Sequence, residues 1–343
     1  MDDIVLTCSD STKLDWFLSK IKSTFPIRDL GSLHFFLGIE AQFLTNGLLI
    51  TQWKCITDLL ANSNMSECQP CHTPISTSPP LSKLSGDPLS NAEQYRQVVG
   101  SLYYITLTKL DISFSVNKLS QFMHQPTQEH WTAVKRLLRY LKATVGFGLF
   151  FSKHSTLDLQ CFTNSDWGGC PDDRQSTNGY AVYLGKNLIS WTSKKQPTIA
   201  RSSTESEYCA LANSTAEIMW LWSLLSELGF FSSNPATLWC DNVGVIYLCS
   251  NPVFHARTKH IELDYHFIQE QVQQCNIQVR FISLDDQIAD ILTKPLGQCL
   301  FVNHRDKLWL YSSPPSAWRG MLEQQPNIVC FICIYLIAVT IIF

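Results

Sequence analysis

Four acidic residues in the second half of the chain have the types and positions to do chemistry: Asp166 in FTNSDWGG, Glu207 in SSTESEY, Asp241 in WCDN and Asp290 in QIADILTKPL. Each falls at the end of an expected strand or the start of an expected helix. An α/β sheet gathers side chains from distant sequence at such places. Four carboxylates brought together there repel one another unless cations hold them. Paired divalent ions about 4 Å apart, clamping a scissile phosphate, meet that requirement. Hydrolysis of a phosphodiester is therefore the leading chemistry for the C-terminal half.

The elements that must position these residues begin near residue 155. LDLQCFT, GYAVYLG and NLISWTS read as three meandering strands, and Glu205 to Leu228 as a long helix ended by Gly229. TLWC is a fourth strand, the Glu262–Gln274 region a second helix, IQVRFIS a fifth strand, and QIADILT a final helix. The whole is an α/β domain with a mixed sheet. Upstream, DWFLSKIKSTF has helical spacing, and LHFFLGIEAQFLTNGLLITQ reads as a hairpin closed by Asn46-Gly47. Residues 69–91 are rich in Pro and Ser and read as a linker, and 94–143 as helices. The last of these helices carries Lys135, Arg136, Arg139 and Lys142 along one side, either as a solvated face or as one that contacts phosphates.

Composition sets limits on function. A chain of 343 residues with 45% hydrophobic content can build two or three packed domains. A net charge of −3 gives no global basic field for nucleic acid, which leaves only local clusters. Met1 runs straight into Asp2-Asp3, so no signal peptide is expected, and the 13 cysteines read as reduced intracellular thiols. Cys68-Gln-Pro-Cys71-His72 has the spacing of a haem-attachment or half-zinc motif. It lacks a second Cys pair and an export signal, so chance spacing is expected.

Longer motifs carry a specific resemblance. FPIRDLGSLHFFLGIE, YRQVVGSLYYITLTKLDISFSVNKLSQFMHQPT, SDWGGCPDDRQSTNGYAVYLG, SSTESEYCALA, CDN, RTKHIELDYHFIQE and QIADILTKPL occur in this order. Together they resemble the C-terminal part of copia-type LTR retrotransposon Pol, over roughly residues 2–320. The resemblance implies an RNase H-like mixed five-stranded sheet with helices, preceded by a partial reverse-transcriptase palm and a helical connection. It divides the chain into a truncated palm end (1–60), a linker and thumb-like connection (61–154), an RNase H-like domain (155–300), a Pol C-terminal segment (301–326) and a hydrophobic tail (327–343). Asp2 and Asp3 match the remnant of the polymerase metal site. The third polymerase carboxylate is not among these residues, so no DNA synthesis is expected.

For the second half the resemblance implies hydrolysis of RNA in RNA/DNA hybrids with two Mg²⁺ ions, with Asp166, Glu207, Asp241 and Asp290 as catalytic metal ligands. Each position also has a plain structural reading. Thr204 to Glu207 fits a capping box, Asp241-Asn242 a turn or cap, and Asp290 a first-turn acid on a helix dipole. One position departs from the family, whose strand ends in Asp-x-Asp-Trp. Here the first Asp is Asn164, whose amide brings no charge to a metal. Asp166 shares its strand face but sits about 6–7 Å further along. Activity is therefore expected to be weak or lost, and Asn164→Asp to raise it. The alternative is a catalytically dead remnant that at most binds nucleic acid.

Candidate contacts to the hybrid are Lys194, Lys195, Arg201, Arg257 and Lys259, together with the helical cluster of Lys135, Arg136, Arg139 and Lys142. His260 and His266 are too poorly aligned on a helix for a zinc pair, and a buried, hydrogen-bonded role is expected for them. The absent part of Pol is a further expected partner. Localisation is expected to be intracellular, cytoplasmic or nuclear. Membrane association is expected only through Asn327–Phe343, which reaches the lower end of the roughly 17–25 residues a span needs and also reads as read-through past a lost stop codon.

Overall fold

The computed structural model describes residues 4–6, 8, 10–230, 234–250, 262–308 and 310–312. The expectations placed on Asp2, Asp3, Arg257, Lys259, His260 and the 327–343 tail fall outside these residues. Among the described residues no helix is long and apolar enough to cross a membrane.

Asp10 caps helix α1 (Ser11–Thr24), and the chain then enters a hairpin of β2 (Ile39–Leu44) and β3 (Gly47–Thr51), preceded by the short β1 (Phe35–Phe36). The register pairs Leu44 with Gly47, so the turn residues are Thr45 and Asn46 rather than Asn46-Gly47. Gly47 has a packing reason instead. A Cβ there would lie 2.2 Å from the Phe151 carbonyl of β4 (Phe147–Ser152), the next strand of the sheet. This antiparallel sheet runs β1-β2-β3-β4-β10, where β10 (Leu310–Ser312) pairs along β4. Two strands far apart in sequence thus join the N-terminal hairpin.

Helices α2 (Trp53–Asn62), α3 (Ala92–Ile105), α4 (Ser113–Ser120) and α5 (Gln128–Ala143) follow from apolar stripes at helical spacing. In α5 the stripe is Val134, Leu137, Leu138 and Leu141, all fully buried. The Pro/Ser-rich segment before α3 is tied down along its length. Ser82 and the Lys83 amide both donate to the Asp172 carboxylate, and Pro88 bridges Thr127.

The second sheet has the order β7-β6-β5-β8-β9. Its strands are β5 (Leu159–Asp166), β6 (Thr177–Leu184), β7 (Asn187–Lys195), β8 (Ala236–Cys240) and β9 (Ile277–Phe281). The first three meander antiparallel, and β8 and β9 add parallel to β5. Parallel addition requires crossovers, supplied by α6 (Ser203–Glu227) before β8, then α7 (Val243–Ser250) and α8 (Glu262–Gln273) before β9. This is the expected mixed five-stranded sheet. The expected final helix around QIADILT is a 3-10 turn, Ile288–Leu292, followed by α9 (Gln298–Lys307). On α8 the buried ring is Tyr265, fully enclosed, whereas His266 is exposed and not buried as expected.

Candidate active site

Four elements bring distant residues to the carboxyl ends of β5 and β8. Asn164 lies near the end of β5, and only 3% of it is exposed. Asp241 directly follows β8, and Asp290 sits in the Ile288–Leu292 turn. That turn is fastened to β5 by fully buried Gln287, whose Nε2 donates to the Thr163 carbonyl at 3.0 Å.

Glu207 comes from the first turns of α6, and the cap of that helix explains why it is free. The N-cap is Ser202, whose hydroxyl accepts from the Glu205 amide, and the Glu205 carboxylate accepts from the Arg201 amide at 2.9 Å. The cap thus sits two residues earlier than the expected Thr204 to Glu207 box. Glu205 serves the helix end, and Glu207 turns to the sheet with only 7% of it exposed. The nearby Ser165 backbone opposes part of the rise that burial imposes on its carboxyl.

The cluster is crowded with negative charge. The ligand atoms of Glu207, Cys240 and Asp241 all lie within 4.8 Å of one another. Glu207 Oε2 is buried and has no hydrogen-bond partner. Burial, with the Asp241 charge added, pushes the Glu207 carboxyl up to about 9. Burial also raises Asp241 and Asp290, the latter opposed by Lys294. Lys294 Nζ lies 2.9 Å from Asp290 Oδ1, one helical turn along the chain. Asn164 Nδ2 donates to the same Asp290 oxygen and, at 2.8 Å, to Thr293 Oγ1.

The structure therefore brings together Asn164, Glu207, Asp241 and Asp290. Asp166 is placed beside them, but its Oδ1 accepts from the Thr177 amide at 2.6 Å and its Oδ2 fills the space that a Cβ at Gly169 would take. Its carboxylate closes the end of the β5–β6 ladder, and burial raises it to about 7. Asn164, not Asp166, meets Asp290. Sequence reading passed over Lys294, Thr293 and Cys240. The spacing of Lys294 four residues after Asp290, and the adjacency of Cys240 to Asp241, were the available signals.

The basic candidates divide. Arg136 Nη2 donates to Thr73 Oγ1 at 2.7 Å, Arg139 Nε to the Gln69 carbonyl at 2.7 Å, and Lys142 Nζ to the Ser66 carbonyl. These three clamp the 66–73 segment, a third arrangement beside the solvated and phosphate-contacting faces expected of α5. Lys135 is exposed. Lys195 pairs with Asp173 at 2.6 Å, while Lys194 and Arg201 are exposed near the end of β7 and the start of α6.

Residues 1–77 match the family model described as reverse transcriptase (RNA-dependent DNA polymerase). The chain is 49% identical over 316 residues to a retrovirus-related Pol polyprotein from transposon RE1 of Arabidopsis thaliana, covering 92% of this chain and 22% of that protein. A Pol polyprotein from transposon TNT 1-94 of Nicotiana tabacum is 33% identical over 91% of this chain and 24% of its own length. This chain belongs to the copia-type transposon Pol family. It spans about a fifth of the length of the Arabidopsis Pol relatives. It also covers 91% of an uncharacterized mitochondrial protein of Arabidopsis thaliana, at 44% identity. Among solved structures, LC11-RNase H1 aligns over 40% of this chain and 94% of its own, at 14% identity and a TM-score of 0.32. The same enzyme in complex with an RNA/DNA hybrid aligns with a TM-score of 0.30.

Proposed function

We propose that the 155–300 region of this Pol segment is an RNase H-type site for Mg²⁺-dependent hydrolysis of RNA in RNA/DNA hybrids, attenuated by Asn164. The observation that carries this reading is the buried Glu207 Oε2 with no hydrogen-bond partner, facing a cluster that already holds Asp241. A buried polar atom left unpaired costs about 1–3 kcal/mol, and a cation removes both that cost and the repulsion between the carboxylates. The donor set of Glu207, Asp241 and Asp290 thus fits divalent ions. Asn164 fits them less well, because its amide N–H group points at Asp290 and adds no negative charge.

Bound divalent ions would supply charge stabilisation of the phosphate and an activated water. The chain's own residues do the rest. The Gln287 fastening holds the Asp290 turn in place. Lys294 offsets part of the cluster's negative charge. Exposed Lys194 offers a backbone phosphate contact at the sheet edge, and 2′-hydroxyl contacts across the minor groove would select the RNA strand.

The test is cleavage of a labelled RNA/DNA hybrid by the full chain with and without Mg²⁺, with Asn164→Asp alongside. Slow Mg²⁺-dependent cleavage that rises in Asn164→Asp supports the reading. The Asn164–Asp290 hydrogen bond favours a second reading, a catalytically dead remnant that binds hybrid without cutting it. Hybrid binding with no cleavage by either protein would establish that alternative.

A further inference from the structure

Cys240 has no part in the chemistry proposed above, although its sulfur belongs to the same cluster. It is the last residue of β8, fully buried, and its Sγ lies within 4.8 Å of ligand oxygens of both Glu207 and Asp241. The Asn242 amide donates to this sulfur at 3.4 Å, which opposes part of the rise that burial and the Glu207 charge impose on the thiol. The Glu207 carboxylate, whose Oε2 is buried and unpaired, completes a set of one sulfur and two carboxylates converging from two elements.

We propose that Glu207, Cys240 and Asp241 form a site for a thiophilic divalent cation of the zinc class, which competes with Mg²⁺ for the same carboxylates. The proposal rests on the carboxylate cluster of the hydrolytic reading but not on hydrolysis itself. The chemistry separates the two metals. Mg²⁺ keeps an octahedral shell of oxygens and gains nothing from sulfur. Zinc takes thiolate at about 2.3 Å and carboxylate oxygen at about 2.0–2.2 Å in a four-coordinate shell, with the fourth place open to water here. Thiolate ligands are what bias a mixed site toward such metals. On binding, the thiol and the Glu207 carboxyl each release a proton to solvent, and three anionic ligands around a divalent ion leave one negative charge. The Lys294 ammonium, which already acts on Glu207 and Asp241, faces that charge. Such a metal would hold the site in a form that excludes the catalytic ion, so trace zinc is an inhibitor built into this chain's sequence.

The experiment uses Co²⁺ and Zn²⁺ on the full chain carrying Cys68→Ser and Cys71→Ser, so that the Cys68–His72 motif cannot supply the thiolate signal. The protein is kept reduced by a thiol-free reductant. Co²⁺ is expected to give a thiolate-to-cobalt charge-transfer band in the near ultraviolet. Adding Cys240→Ser is expected to abolish the band and weaken Zn²⁺ binding at least about tenfold. Glu207→Gln, which removes a carboxyl that burial disfavours, is expected to weaken Zn²⁺ similarly, and it decides the matter if Cys240→Ser fails to fold. A band that survives Cys240→Ser, or unchanged Zn²⁺ affinity in either folded variant, overturns the proposal. The readout needs no cleavage, so a chain silent toward RNA/DNA hybrid leaves this result standing separately.

Discussion

Replacing Asn164 by Asp exchanges a donor for a charged acceptor at a position only 3% exposed. In the native chain the amide donates to Asp290 and to Thr293 Oγ1. The substitution removes a hydrogen bond to a charged group, worth about 1.5–3 kcal/mol. It also sets a second carboxylate against Asp290, and an uncompensated buried charge costs about 3–5 kcal/mol. Lys294 relieves part of this, which puts the expected loss in chelator at about 3 kcal/mol, or roughly 6–12 °C in Tm. A divalent ion reverses the sign, because the new carboxylate becomes a ligand. Saturation at a hundred times Kd returns about 2.7 kcal/mol. Thermal unfolding of native and Asn164→Asp chains in EDTA and in Mg²⁺ measures this directly. The variant should melt well below native in EDTA and recover most of the gap in Mg²⁺, while native moves less. Equal melting in EDTA, or no larger Mg²⁺ response in the variant, would refute the contact between residues 164 and 290.

Other outcomes follow from the same geometry. In EDTA, stability should fall as pH rises between 4.5 and about 9, because unfolded Glu207 releases its proton near 4.5 while the folded carboxyl holds it to about 9. Glu207→Gln should flatten that slope in urea titrations run across pH, and an unchanged slope would count against the burial of this carboxyl. Gly179→Ala places a Cβ 2.7 Å from Leu292 Cβ and 2.8 Å from Thr293 Cγ2. It should cost about 1–3 kcal/mol and weaken Mg²⁺ binding by displacing the Asp290 turn, read by calorimetry. Arg139→Ala with Lys142→Ala should speed limited proteolysis within residues 66–73 and leave hybrid affinity nearly unchanged. A large drop in affinity would return these side chains to a phosphate-contacting role.

The second sheet was legible because its strands and α6 carry clear apolar periodicity, and all five strands appear where the motifs placed them. The first sheet was not. β4 and β10 are short; β4 pairs with a hairpin strand more than 90 residues upstream and β10 with β4 more than 150 residues upstream, and no local pattern encodes such partners. Gly47 was read as a turn residue because Asn-Gly is a strong hairpin signal, yet its lack of a Cβ serves the approach of β4. At the site, residue types named the carboxylates but not their orientation. Which glutamate caps α6 depended on where the helix begins, and a two-residue shift moved the capping role from Glu207 to Glu205. Asn164 and Asp166 alternate onto one strand face in sequence. Only the folded chain shows that Asp166 is bonded to its ladder partner Thr177 while Asn164 meets Asp290 of the Ile288–Leu292 turn. The basic side of α5 looked free because the segment that covers it has no periodicity to place it.

The most direct test of the account is the Mg²⁺-dependent cleavage rate of an RNA/DNA hybrid by the full chain, native and Asn164→Asp, with Asn164→Asp/Glu207→Gln as the blank. The account predicts a slow native rate, a gain of about 100-fold or more in Asn164→Asp, equivalent to about 2.7 kcal/mol of barrier, and loss of that gain in the double variant. A folded Asn164→Asp chain that binds Mg²⁺ and hybrid yet cleaves no faster than native would contradict it.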